Sequence, residues 1–177
     1  MGVVTGTAKH DWQFQQAVSS GLITPETLAA QIVAPAVPGA TLNYTNGTNA
    51  LQVDQLYGKA ITLNATNSTI DLTSLPLIDG TTAAGGRVRE LILFNPDANA
   101  AHLVKLYAGA SNGASFLPPV ASYLSVPGNN GSVRLSDPNS TGAGNGFYVD
   151  NTHKNLVVDT GSNNVTFYLA MGLSSLA

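Results

Sequence analysis

Residues 87–95 constrain this chain more than any other stretch. Val88 and the run Leu91, Ile92, Leu93 and Phe94 are the densest apolar segment, and Asn95-Pro96-Asp97 closes it with a turn signal. The run falls well short of the roughly 20 apolar residues that cross a bilayer. Bounded by turn chemistry, it predicts a strand buried near the middle of a β domain. Residues 102–107, with Leu103, Val104, Leu106 and Tyr107, read as its antiparallel partner.

A buried central strand requires more strands, and the chain from residue 39 onward offers them. Residues 41–45 alternate and run into Asn46-Gly47, a hairpin-type turn. Residues 51–57, 59–64 and 68–72 follow as short alternating segments. Pro76 demotes residues 75–78 to an edge or an irregular connection. Further on, residues 123–126, 132–136, 147–149 and 155–159 read as short strands. The cleanest lies in 164–171, where Val165, Phe167, Leu169 and Met171 alternate with Thr166, Tyr168 and Ala170. Turn signals every 8–12 residues predict a mainly β fold. The expected form is an antiparallel β-sandwich, of which the jelly roll is one variety.

Residues 1–38 have a different texture. Asp11 can cap a short helix from Trp12 to about residue 20, with Phe14, Ala17 and Val18 on one face. Thr24-Pro25-Glu26 is a second helix start, with Leu28 and Ile32 as its apolar stripe and Pro35 as its stop. Two helices this short are marginal alone in water and must dock on something. The expectation is an N-terminal arm over 1–38 and a β-sandwich domain over 39–177. Trp12, Phe14, Val18, Leu28 and Ile32 are the candidate interface residues, because large apolar side chains on a weakly stable arm suit a subunit contact, and equally a fold back onto the chain's own sandwich.

Composition narrows the function classes. Charged residues make up only 10% of the 177 residues, against roughly 25% in ordinary soluble proteins. Asn, Thr, Ser, Gly and Ala take their place. Such a neutral surface suits packing against copies of the chain or a larger assembly. Net charge is −3 and there is no run of Lys or Arg, so no electrostatic footprint for nucleic acid exists. The absence of cysteine excludes disulfides and thiolate metal sites. No segment predicts a membrane helix.

Motifs that carry chemistry are missing. His10, His102 and His153 share no metal-ligand spacing. There is no nucleophile elbow, His-Glu-x-x-His or P-loop, and the glycines at 142–146 lack a dinucleotide fingerprint. Asp97 with Asn99, Asp137 with Asn139, and Asp150 with Asn151 have a faint calcium-loop look. Asx turns explain each one without a metal. Tyr107, Tyr123, Phe147 and Tyr148 could stack on sugars, but core or interface packing is the better account of them. The sequons at Asn43, Asn46, Asn64, Asn67, Asn130, Asn139 and Asn164 follow from a composition rich in Asn and Thr. The expectation is therefore no enzyme, no catalytic residue, no cofactor and no metal.

From about residue 41 to the C-terminus the chain resembles the head-decoration, or capsid cement, proteins of tailed bacteriophages. The resemblance rests on the segments 41–47, 70–72, 88–95 and 104–112. To these add the Val126-Pro127-Gly128 turn, the Leu135-Ser136-Asp137-Pro138 step and the strand at 165–169. It implies a structural protein on the outer surface of the phage head. The implied partners are the major capsid protein and copies of itself, a trimer being a common arrangement, with neither nucleic acid nor membrane. A head-fibre or tail module that binds host-surface glycans through the loops at 108–114 and 139–146 is the alternative. A carbohydrate-active enzyme on a sandwich scaffold is a third reading.

Overall fold

The computed structural model describes residues 10–14, 30–34, 45–50, 52–137, 139–140 and 146–175. The chain divides into two units, Met1–Thr41 and Leu42–Ala177. In the first, β1 (His10–Phe14) pairs antiparallel with β2 (Ala30–Ala34), which sets Trp12 opposite Ile32 and Phe14 opposite Ala30. This corrects the expected helices wherever the described residues reach them. His10, Trp12 and Phe14 recur every second residue, a strand period, and the β-branched Ile32 and Val33 favour extended backbone. Inter-strand hydrogen bonds then replace two helices that are too short to hold themselves. Val18, Leu28 and the Thr24-Pro25 start lie outside the described residues.

The second unit is mainly β. Its strands are β3 (Thr45–Asn46), β4 (Gln52–Val53), β5 (Gln55–Asn64), β6 (Asn67–Asp71), β7 (Gly86–Asn95) and β8 (Val104–Ala108). They continue with β9 (Leu124–Val126), β10 (Gly131–Ser136), β11 (Tyr148–Val149), β12 (Asn155–Asp159) and β13 (Asn164–Ser174). Among the described residues the sole helical piece is a three-residue 3-10 turn, Val120–Ser122, entered from Pro118-Pro119. The first sheet has the order β10-β7-β13-β5, with β11 also on β7, and the second has the order β6-β12-β8-β9. Every pairing within these two sheets is antiparallel.

β7 is the predicted central strand. It lies between β10 and β13, and every residue in it is buried. Its partner is not the one expected: β8 belongs to the second sheet, between β12 and β9. Residues 96–103 are too long for a tight hairpin and carry the chain from one sheet to the other. The buried Asn95 fixes that crossing. Its Nδ2 donates to the carbonyls of His102 (2.9 Å) and Val126 (3.1 Å). The hairpin expected at Asn46-Gly47 is also absent. β3 and β4 run parallel, Thr45 opposite Gln52, and Gly47 donates its N–H to the Val53 carbonyl. A φ of 139° at that turn requires glycine.

Alternation sends one side of each strand into a single apolar cluster. The first sheet contributes Leu63, Val88, Leu91, Leu93, Val165, Phe167, Leu169, Met171 and Leu173. The second contributes Val104, Leu106, Val126, Leu156 and Val158. Each buried aliphatic side chain is worth about 1.5–3 kcal/mol relative to exposure. One irregularity interrupts the pattern. Gly172 of β13 opposes Glu90 while the next residue, Leu173, opposes Val88, so Arg89 is an extra residue in β7. This β-bulge lets both Val88 and Leu91 face the core.

Candidate functional site

The bulge produces a dense polar arrangement among the described residues of the second unit. Arg89 is fully buried. Its Nε donates to Ser174 Oγ (3.0 Å), and its Nη1 donates to the carbonyls of Ser140 (2.6 Å) and Asp137 (3.5 Å). Nη2 donates to the carbonyls of Asn49 (3.0 Å) and Thr48 (3.4 Å). One guanidinium thus ties the loop before β4, the loop after β10 and the end of β13. Charge-assisted bonds of this kind hold a buried cation in place of its lost hydration. Next to it the buried Glu90 takes both a bond from Arg134 Nε and one from Arg134 Nη2 (3.2 Å).

Asp137 closes the base of the loop that follows β10. Its Oδ1 accepts from Ser140 Oγ (2.6 Å) and its Oδ2 accepts from the Phe147 N–H (2.8 Å). A Cβ on Gly146 would meet Asp137 Oδ2 at 1.7 Å, so a side chain there would break the closure. Of the glycine-rich stretch at 142–146, only Gly146 is among the described residues.

Two of the three calcium-like loops, those at Asp97 and Asp150, are Asx turns. Asp97 Oδ1 accepts from the Asn99 N–H (2.8 Å), Asn99 Oδ1 from the Ala101 N–H (3.0 Å), and Asp97 Oδ2 meets His102 Nδ1 at 3.1 Å. The Asn99 N–H, followed by His102, holds the Asp97 carboxyl below the usual carboxylate range. Asp150 Oδ1 accepts from the N–H (2.7 Å) and Oγ1 (2.8 Å) of Thr152 and from the His153 N–H (2.8 Å). Those bonds, the Thr152 hydroxyl first, lower its pKa as well. Among the described residues no three or more His, Cys, Asp or Glu side chains gather as a metal-binding group.

The aromatic candidates do not form one platform. Phe147 stacks on Phe116 with ring centroids 4.6 Å apart and packs against the core. Tyr107 is buried, and burial together with the Asp159 carboxylate raises its pKa. Tyr123 is exposed, with Lys105 Nζ 4.7 Å from its ring centroid. Tyr148 pairs across from Arg87 at the β11 edge. The loop at 108–114 is a knotted turn: Gly109 and Ala114 donate to the Asn155 carbonyl, and Asn155 Nδ2 donates to the Ser111 carbonyl (2.8 Å). Of the candidate interface residues, Trp12 and Phe14 fall in β1 and Ile32 in β2.

The outward sides of the two sheets differ. On the first, register places Gly58, Ala60, Thr62 and Asn64 of β5 beside Ala170, Tyr168, Thr166 and Asn164 of β13. Thr62 and Thr166 join hydroxyls at 2.8 Å, and Tyr168 stacks on Phe94 at 6.2 Å. On the second, Lys105 lies across from Asp159, and Asp71 Oδ2 meets Lys154 Nζ at 2.7 Å. For Asp71, burial alone would raise the pKa. The bonds from Lys154 and Thr73 outweigh it, and the net shift is downward. Sequence reading missed both the guanidinium nest and this contrast. The signal for the first was present: Arg87, Arg89 and Glu90 stand inside the most apolar strand of the chain.

No protein-family model, no curated protein and no solved structure matches the chain.

Proposed function

We propose that the protein is a structural component of a virion: a decoration or cement protein on the outside of a phage head, bound to the major capsid protein and to copies of itself. The observation that carries this reading is the strand order. Taken from one edge, the sheets run β5-β13-β7-β10 and β6-β12-β8-β9. The successive pairs β5/β6, β12/β13, β7/β8 and β9/β10 therefore hold corresponding places in the two orders. That is the wiring of a jelly roll, an eight-stranded double Greek key, and we infer that the second unit is a β-sandwich of this kind. The step from fold to role is an analogy, since jelly rolls serve viral shells, lectins and enzymes alike.

Chemistry favours the structural branch of that analogy. Asp54, Asp71, Glu90, Asp97, Asp137 and Asp150 are each engaged by a neighbouring residue that shapes a turn, a strand end or a pair. A protein that binds only the assembled lattice stabilises that lattice by linkage. In this reading residues 1–38 clasp the shell or a neighbouring copy.

The test is co-purification with intact particles and the copy number relative to the main shell protein. A fixed, high copy number is expected, and deletion of residues 1–38 should abolish incorporation while the second unit stays folded. Absence from particles overturns the role. Binding of the purified protein to host-surface glycans would move the reading to host recognition, and turnover on a polysaccharide panel would move it to an enzyme.

A further inference from the structure

We propose that Lys59 keeps the open edge of β5 from taking on a further strand. A strand at the edge of a sheet leaves a row of backbone N–H and C=O groups unpaired, which makes it a template for another chain. Four strands hold such edges, β5 and β10 in the first sheet and β6 and β9 in the second. β9 has three residues, β6 five and β10 six, whereas β5 has ten. The start of β5 is covered, because the Ile78 N–H donates to the Leu56 carbonyl (2.9 Å). Backbone groups alternate in direction along a strand, so those of Gly58, Ala60 and Thr62 point to the same side as those of Leu56. All three residues are exposed, and these groups have no partner among the described residues.

Lys59 stands in the row of β5 where a charge is out of place. Register puts Tyr57, Lys59, Ile61 and Leu63 across from Met171, Leu169, Phe167 and Val165. Apart from Lys59, each of these belongs to the apolar cluster or packs against it. Lys59 is nonetheless exposed, and no carboxylate pairs with it among the described residues. The residue therefore serves neither the core nor an ion pair. With β13 closing its other side, a side chain that starts in the core row reaches water past the free edge of β5.

A strand added at that edge would close this route. Its backbone would bond to Gly58, Ala60 and Thr62, and its side chains would flank Lys59 and strip water from the ammonium. An ammonium with no carboxylate beside it is expensive to desolvate, whereas hydrogen bonds that merely replace those to water return little. An inward-pointing charge is one known protection of sheet edges, and shortness is another. Both occur in this chain: β6 and β9 are short, and β5 is long but charged in its core row. The protection works the same way in any assembly, so it does not depend on the virion reading.

The experiment compares the full chain with its variants by sedimentation velocity from micromolar to millimolar protein, with amide hydrogen exchange to locate any new contact. Lys59→Val makes the chain one charge more negative than its −3, which by itself opposes association. The variant should nevertheless associate at a concentration at least about tenfold lower than the wild type does. New protection should appear at the amides of Gly58, Ala60 and Thr62, which exchange freely in the wild type. Lys59→Thr should behave alike and covers the case in which valine disturbs the fold. Lys59→Arg keeps a charge in the core row and should match the wild type. Thr62→Val, in the outward row of the same strand, adds apolar surface without opening the edge and should also match it. Three outcomes overturn the proposal: Lys59→Val and Lys59→Thr associate no more than the wild type, Lys59→Arg or Thr62→Val associates as strongly as Lys59→Val, or the new protection lies outside residues 58–62.

Discussion

Outside β5 and β13 the first sheet offers hydroxyls, carboxamides, glycine, alanine and one tyrosine; outside β6, β12 and β8 the second offers two lysines and two aspartates around Thr69, Val157 and Tyr107. Their inward sides are interchangeable by contrast, both filled with Leu, Val and the occasional aromatic. Apolar burial is non-directional, so either sheet can face the common core with the same few residue types. The outward sides are free of that demand and have diverged. Along β5 and β13 the outward groups are uncharged, whereas the second sheet carries charges of both signs.

The comparison breaks first at Ile92. It lies on the outward side of the first sheet, across from Arg134, yet it is 4% exposed. Ile92→Asp should cost more than about 3 kcal/mol and abolish cooperative folding, as read by circular dichroism, because it buries a second carboxylate beside Glu90 with one cation, Arg134, for both. A folded variant would show that the outward side of β7 is open like that of β5. Arg89→Met should come next, at about 2–4 kcal/mol, through the carbonyls it leaves unpaired. Hydrogen exchange should then rise together around residues 47–49 and 137–140, with β12 and β8 protected as before.

Acid should separate the two faces without any mutation. The folded pKa values of Asp71, Asp97 and Asp150 are lowered. Near the ordinary aspartate pKa the unfolded chain therefore binds more protons than the folded one. Their contribution is present above a pH of about 4 and is lost as pH falls through the lower folded values. A thermal melt series should show Tm falling over that window, with NMR shifts at 71, 97–102 and 150–153 while peaks at 58–64 stay still. Equal shifts on both faces would blur the contrast. The smallest effect is expected for Lys154→Ala. Its pair with Asp71 lies at the surface with the side chains 24% and 32% exposed, so loss of about 0.2–1 kcal/mol is the range to measure by denaturant unfolding.

Local pattern made part of the fold legible. Val165, Phe167, Leu169 and Met171 recur every second residue and announced β13, while the density of residues 91–94 announced β7 as central. Pairing was not legible, because it depends on where a chain goes after a strand ends. Residues 102–107 looked like the neighbour of β7 because they come next, but Asn95 sends the chain into the other sheet. At Asn46-Gly47 the turn chemistry suggested a hairpin, but the strands on either side run parallel. The stretches at 12–20 and 24–33 carried real capping signals, yet spacing of two outweighed them where β1 and β2 are described. The guanidinium nest was invisible for a different reason. Its acceptors are backbone carbonyls of residues 40 or more positions away, and a carbonyl leaves no trace in sequence.

The bulge at Arg89 acts on β7 as a frameshift acts on a reading frame. An ordinary strand can slide by two residues and keep every side chain on its proper side. β7 cannot do so, because its alternation is in one phase up to Val88 and in the other from Glu90 onward. Any slide would carry the phase change away from Gly172 and Leu173 and send one half of the strand outward. Since Arg89 is also the residue bound to three separate segments, the phase change is anchored where it occurs. β7 and β13 thus have one alignment available to them, which guards the most apolar strand of the chain against pairing out of register.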